Sequence, residues 1–391
     1  MYKIQTLNKI DPEGLKIFPL DQYEIASEFA SPDAVIVRSQ AMHEMALPSS
    51  LLSIARAGAG VNNIPIEKCT NQGIVVFNTP GANAHAVKEI LIAGMLLASR
   101  DIAGSIEWAK TLKGKGAEVA PLVEKGKANF GGTEIRGKTL AVIGLGAIGV
   151  LVANAAQALG MNVLGYDPYI SVNYAWKLSR NVKKAEGLES LLSSADFVTL
   201  HIPQLPETKG FINADKIKMM KDGVKILNFA RGGLVNNADL LAAIESGKVG
   251  KYVTDFPEDE LINVKNIIAI PHLGASTEES ETNCAIMAVN QTIDYLENGN
   301  IINSVNFPTT EMERAAGATR IVVANRNVPK MVSQISALLA HEGLNIANML
   351  NRNKDEIAYN IIDIDGEVPA GIKDLIKAIN GVIMVRILPP K

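Results

Sequence analysis

Residues 139–167 read TLAVIGLGAIGVLVANAAQALGMNVLGYD. A short apolar run of strand character enters Gly144-Leu145-Gly146-Ala147-Ile148-Gly149, several helical turns of small and apolar residues follow, and a second strand-like run ends on Asp167. A strand passing through G-x-G-x-x-G into a helix, with a carboxylate roughly 20 residues further on, is the dinucleotide-binding fingerprint. Gly144 permits the tight turn, Gly146 lets the backbone approach a pyrophosphate, and Gly149 lets helix and strand pack closely. The helix start then offers free N–H groups and the positive end of its dipole to the phosphates. Asp167 would accept hydrogen bonds from the adenosine ribose and repel a 2′-phosphate, and Pro168-Tyr169 behind it supplies no cation. That combination favours NAD over NADP.

Outward from this stretch, 391 residues suggest two or three domains, and 47% hydrophobic content is ample for conventional cores. Thirty-eight basic against 41 acidic residues leave a net charge of −3 with no long basic run, so neither nucleic acid nor an anionic membrane is an expected partner. Cys69 and Cys284 stand far apart and outside any ligand spacing, which argues against a disulfide framework and a metal site. The start MYKIQTLNKI lacks a signal-peptide apolar core, and the longest apolar run, residues 90–99, is too short to span a bilayer. A cytoplasmic protein is the expectation.

The region before the fingerprint alternates short strands (YKIQTL, DAVIVRS, LLSIARAG, GIVVFNTPG) with helical patches, the rhythm of a parallel sheet covered by helices. After the fingerprint come ADFVTLHIP, VKILNFARGG, KYVTDF and NIIAIPHLG, again with helices between. The last 72 residues read strand, helix, strand, strand, helix, strand. The predicted fold is therefore α/β: two doubly wound parallel-sheet domains and a C-terminal α+β βαββαβ domain. The expected boundaries are 1–92 with a return segment at 283–310, 93–282 for the nucleotide domain, a linker at 311–319, and 320–391.

Ligands of such sheets bind beyond the carboxyl ends of the strands. On the first sheet this rim carries Arg38, Arg56 and the turn NTPGAN that ends at Asn83, a candidate anion pocket. On the second, Arg231 follows the fourth strand, Asp255 ends the fifth with Glu258 and Glu260 close behind, and His272 follows the sixth. A guanidinium can grip an α-carboxylate with two parallel hydrogen bonds. An imidazole titrating near neutrality can take an alcohol proton, and a neighbouring carboxylate would fix its tautomer. His201 in Leu-His-Ile-Pro is the rival imidazole, but it comes two residues before a proline and no carboxylate follows it soon, so His272 is favoured.

These residues resemble the D-2-hydroxyacid dehydrogenase family across roughly residues 30–310: RAGAGVNNI (56–64), NTPGAN (78–83), GLGAIG (144–149), HIP (201–203), NFARGGLV (228–235) and PHLGAST (271–277). The resemblance implies an NAD-dependent enzyme with catalytic Arg231 and His272 and a glutamate partner for the histidine. The family spacing of five residues after Asp255 selects Glu260, while the shortened Asp255-Phe256 leaves Glu258 open. It also implies NAD contacts at Ala147, Ile148, Asp167, His201, Pro203, Thr208, Ala230, Arg231, Asp255, His272 and Gly274, beside the glycines of the fingerprint. Asn62 stands where many relatives carry Asp. For substrate, Arg231 is expected on the carboxylate, and Arg56, Asn83 and Arg38 on the far end of a phosphorylated 2-hydroxy acid. Residues 320–388 resemble an ACT domain, an effector-binding unit that pairs across chains, so a homodimer or homotetramer is expected. Asn327 and Asn345 match asparagines that bind L-serine in such units, with Asn325 in place of a usual His and Lys330 in place of a usual Gly. Two other readings stand beside this one: a dehydrogenase for another 2-hydroxy acid (2-hydroxyglutarate, glyoxylate), and an NAD-sensing protein without turnover.

Overall fold

The structure, a computed structural model, describes residues 1–390. The chain divides into two compact units: residues 84–277, and residues 1–83 together with the chain from Glu278 onward.

The first unit begins with five parallel strands, β1 (Tyr2–Leu7), β2 (Tyr23–Ala26), β3 (Ala34–Val37), β4 (Ser53–Arg56) and β5 (Val75–Phe77), in the order β2-β1-β3-β4-β5. The order reverses between β1 and β3, where a doubly wound sheet binds its ligand. The central strand β3, AVIV, is buried at every position, as a strand covered on both faces must be.

The second unit carries β6 (Thr139–Ile143), β7 (Asn162–Tyr166), β8 (Lys183–Lys184), β9 (Phe197–Leu200), β10 (Val224–Asn228), β11 (Val249–Thr254) and β12 (Ile267–Ala269). All pair parallel in the order β12-β11-β10-β9-β6-β7-β8. This is the dinucleotide-binding order with one strand added at the β12 edge, and its reversal lies between β6 and β9. One face packs Val198, Ile226 and Tyr252 against Leu191, Ile217 and Leu240. The other packs Val142, Leu227 and Val253 against Leu91, Met95 and Ala153. Helix Ala84–Ser99 belongs entirely to this unit; its Gly94 lies against Phe229 and Val253, leaving no room for a Cβ. The expected boundary at 92/93 falls inside this helix, and the division lies at its start. The second crossing likewise falls at 277/278, ahead of helix Glu278–Asn298, instead of at 282/283. A helix moves as one body, so the chain changes units where a helix begins.

The C-terminal sheet, β13 (Thr319–Arg326), β14 (Ile346–Lys354), β15 (Ile357–Ile364) and β16 (Val382–Leu388), is antiparallel in the order β14-β15-β13-β16. Its side chains alternate between two cores. Ile321, Val323, Ile362 and Ile364 meet Ile335, Leu339, Ile372 and Ile376 of the sheet's own two helices. Val322, Ala324, Tyr359 and Ile361 join Ile36, Phe77, Ala288 and Tyr295 in the core of the first unit. The segment expected as a separate domain after a linker therefore shares a core with residues 1–83.

Three arginines fasten this sheet to the end of helix Glu278–Asn298. Arg386 donates to the carbonyls of Tyr295 and Leu296 at 3.0 and 2.7 Å, Arg320 to that of Asn298 at 2.9 Å, and Arg314 to that of Glu297 at 3.2 Å. The last carbonyls of a helix have no partner within it and carry the negative end of its dipole, so cations suit them. Arg320 is wholly buried, and Asp363, equally buried, neutralises it through two bonds of 2.6 and 2.9 Å.

No helix among the described residues is long and apolar enough to cross a membrane.

Candidate active site

In the second unit the fingerprint turn leaves β6 at Gly144, whose φ of 94° lies in the left-handed region. A Cβ there would lie 2.6 Å from the carbonyl oxygen of His201, and one at Gly149 would strike the carbonyl of Gly144. At Gly146, by contrast, a Cβ would meet nothing within 4 Å, so the backbone is open on that side. Gly146 is the N-cap of helix Ala147–Ala158 and contributes no capping side chain, which leaves the first N–H groups to an anion. Asp167, just past β7, is held by the amides of Leu145 and Tyr169 at 2.8 Å each. It borders a cavity of about 480 Å³ lined by Leu145, Gly165, Pro168, Val182 and Ala185.

The rim beyond β9 to β12 collects the chemically capable groups. Asn228, the buried last residue of β10, donates to the carbonyl of Arg231 at 2.9 Å and accepts from the amide of Ala230 at 3.2 Å, so it shapes the turn that presents the guanidinium. Arg231 is exposed, and one of its nitrogens donates to the Ala230 carbonyl. Asp255, 1% exposed, accepts from the amide of Gly274 at 3.2 Å through one oxygen. Its other oxygen is buried with no partner among the described residues. Burial pushes this carboxyl above its ordinary value, and the charges of His272 and Arg231 pull against that shift. Arg231 and His272 therefore both act on Asp255. The ring of His272 is exposed and packs on Phe256, centroids 4.8 Å apart.

Glu258 and Glu260 converge on one amide: Nδ2 of Asn237 donates to them at 2.8 and 2.6 Å. The bonds that hold these glutamates thus come from Asn237, whereas the sequence pattern places one of them on His272. His201 accepts or donates at Nε2 to the Thr199 hydroxyl, 3.1 Å away. Its residue surface is only partly covered, yet the ring is enclosed by protein, and that burial pushes its pKa down to about 3. A general acid–base works best with a pKa near the operating pH, so His201 is poorly suited. Thr208 spends its hydroxyl inside its own loop, donating to the Pro203 carbonyl and accepting from the Leu205 amide, both at 2.7 Å.

In the first unit, Val37 and Arg56 are register partners, so Arg38 and Arg56 stand at the same rim. Arg56 Nε donates to the carbonyl of Arg38 at 3.0 Å, and Arg38 Nη2 pairs with Glu281 at 2.6 Å. The two motif turns interlock: Asn78 donates to the Ala59 carbonyl at 2.6 Å and the Thr79 amide to the Gly58 carbonyl at 3.1 Å. Asn83, half-buried, closes this turn as the last residue before the chain leaves the unit.

Of the expected effector residues, Asn325 is buried within the sheet, its oxygen accepting from Asn360 at 2.7 Å and its nitrogen donating to the Arg326 carbonyl. Asn327 donates to the Asp355 carbonyl and Asn345 to the Asp365 carboxylate, at 3.1 and 2.5 Å. Asn228, Asn237 and Glu281 are the residues that sequence reasoning missed; the first lies inside a quoted motif, NFARGGLV, but the other two carry no local signal.

The open backbone at Gly146, the fixed Asp167 and the orphaned oxygen of Asp255 fit a dinucleotide. Residues 92–274 match the family described as D-isomer specific 2-hydroxyacid dehydrogenase, NAD binding domain. The chain is 36% identical over 302 residues to a D-3-phosphoglycerate dehydrogenase of Archaeoglobus fulgidus, covering 75% of this chain and 55% of the relative. To the Haemophilus influenzae protein of that name it is 31% identical over 349 residues, 86% of this chain and 81% of the relative. The chain thus spans about half the length of the archaeal relative and most of the bacterial one. Among solved structures, the NAD⁺-bound 3-phosphoglycerate dehydrogenase of Entamoeba histolytica superposes with a TM-score of 0.59 at 27% identity, covering 78% of this chain and 98% of that one.

Proposed function

The chain belongs to the D-isomer specific 2-hydroxyacid dehydrogenase family, and from that membership we propose that it oxidises 3-phospho-D-glycerate to 3-phosphohydroxypyruvate with NAD⁺, the entry step of L-serine synthesis. The observation that carries the catalytic half of this reading is Asp255, buried and acted on by the charges of both His272 and Arg231 at the strand ends beside the fingerprint. The relatives' names support the substrate.

Gly144, Gly146, Ala147, Ile148, Gly149 and Asp167 would hold the pyrophosphate and adenosine, and Asp255 and Gly274 the nicotinamide end. NAD⁺, when bound, supplies the hydride acceptor. Arg231 orients the substrate's α-carboxylate, and its fixed turn on Asn228 limits where that carboxylate can lie. His272 takes the hydroxyl proton as C2 is oxidised and returns it in the reverse direction. Glu260 or Glu258, steadied by Asn237, supplies the negative charge that supports the imidazolium. Arg56, Arg38 and Asn83 recognise the phosphate end. L-Serine would act through the C-terminal sheet, with Asn327 and Asn345 as its contacts, in a homodimer or homotetramer.

The test is NADH formation from 3-phospho-D-glycerate against a panel of unphosphorylated 2-hydroxy acids including 2-hydroxyglutarate, with and without L-serine. A clear preference for the phosphorylated acid is expected. Equal kcat/KM across the panel would reject the phosphate assignment, and binding of NAD without turnover of any acid would favour a sensing role.

A further inference from the structure

The cation assigned to phosphate is already engaged. Arg38 leaves the end of β3 and meets Glu281 at 2.6 Å, and Glu281 stands on the first turn of helix Glu278–Asn298. Acidic residues crowd that turn, Glu278 and Glu279 included, as suits the positive end of a helix dipole. Glu281 is the one whose carboxylate reaches the rim. A second observation places the same helix against β3 and β4, whose ends carry both arginines. Cys284, one turn further on, is buried and its thiol is pushed up by that burial, while neighbouring Thr79 and the charges of Arg56 and Arg38 pull it back. The helix surface from Glu281 to Cys284 thus lies within the field of the two guanidinium groups.

We propose that Glu281 is a built-in occupant of the anion subsite and sets the charge that subsite accepts; this rests on the assignment of Arg38 and Arg56 to the substrate's phosphate end. A phosphate monoester carries between one and two negative charges near neutrality. To use Arg38 it must displace a carboxylate that then remains beside it as a like charge, and such juxtaposition opposes binding. A ligand with an uncharged end meets no such opposition. The consequence is selective. Free inorganic phosphate, with no other anchor, competes poorly against Glu281, whereas a phosphate carried on a 2-hydroxy acid gains from the contacts made by its carboxylate and hydroxyl. Glu281 in this role keeps the subsite from filling with the commonest small anion of its chemistry.

The experiment uses the full chain and three variants, Glu281→Gln, Glu281→Asp and Arg38→Ala. Calorimetric titration with inorganic phosphate gives Kd, and steady-state kinetics give the ratio of kcat/KM for 3-phospho-D-glycerate over D-glycerate. Glu281 is about two-fifths exposed, 42% for its side chain, so the substitutions are compatible with folding. Removing its charge should tighten phosphate binding and raise the ratio by about fivefold each, the scale of a partly exposed charge pair. Glu281→Asp, which keeps the charge, should stay near the parent. An unchanged Kd and ratio in Glu281→Gln, or an equal change in Glu281→Asp, would overturn the proposal. If Arg38→Ala abolishes phosphate binding while Glu281→Gln changes nothing, the subsite assignment survives and Glu281 loses its role. If Arg38→Ala changes neither quantity, the subsite assignment itself falls, and the proposal with it.

Discussion

Asp255 gives one oxygen to the amide of Gly274 at 3.2 Å and keeps the other buried with no partner among the described residues. A buried acceptor without a donor costs free energy in the unliganded protein, and a ligand that brings an N–H, such as a carboxamide, recovers it. Asp255→Asn places a donor where an acceptor is needed. NAD affinity, read by calorimetry, should fall by about 10–100-fold. The sign on stability is opposite. Burial raises the folded-state pKa of Asp255, so its ionised form is disfavoured in the fold and weakens it at neutral pH. The unliganded variant should therefore melt roughly 2 °C higher at pH 7, and the gain should shrink as pH falls and the parent carboxyl takes up its proton.

The two rim histidines should separate by kinetics. His272→Ala is expected to lower kcat by about 10²–10⁴-fold, the usual range for a lost general acid–base. His201→Gln should leave the pH profile of kcat with its neutral-range inflection, because a ring held near pKa 3 does not titrate there. A lost inflection in His201→Gln, with near-normal turnover in His272→Ala, would reverse the assignment.

His201 should instead appear in the pH dependence of stability. Its pKa falls from 6.5 in the unfolded chain to about 3 in the fold, so below pH 6.5 the unfolded state binds a proton the folded state refuses. Its contribution is complete above pH 6.5 and is lost progressively as pH drops toward 3. Urea midpoints measured across that window should fall less steeply in His201→Gln than in the parent.

Arg320 and Asp363 form an ion pair with neither side chain exposed. Arg320→Met alone leaves a buried, uncompensated carboxylate and should destabilise the chain by about 3–5 kcal/mol. The double variant Arg320→Met with Asp363→Leu should recover a large part of that loss in chemical denaturation. It should not recover all of it, because Arg320 also satisfies the carbonyls of Asn298, Met312 and Glu313.

What could be read in the sequence, and what could not, follows from where the information lies. The fingerprint strand, the turn and Asp167 are close along the chain, and Gly144, Gly146 and Gly149 act through local backbone geometry. The strands β3, β6, β9, β10 and β13 announce themselves through apolar runs that burial demands. β2 and β8 do not: one is four residues with Glu24 inside it, the other is two lysines, and both pair on one side only at a sheet edge. β13 and β15 are buried at nearly every position, so both faces are covered, but Ile36 and Phe77, which meet the Val322 and Tyr359 face, lie far earlier in the chain. The polar partnerships are the least legible. Asn237 reaches Glu258 across 21 residues and Arg38 reaches Glu281 across 243, distances over which spacing carries no signal.

Helix Glu278–Asn298 is a rod of about 30 Å. One end is riveted to the C-terminal sheet by Arg314, Arg320 and Arg386. The opposite end carries Glu281, which holds Arg38 at the end of β3. A stiff shaft clamped in this way does not absorb displacement; it transmits it. Any tilt of the small sheet is therefore carried along the rod to its first turn, with Glu281 and its grip on Arg38 travelling along.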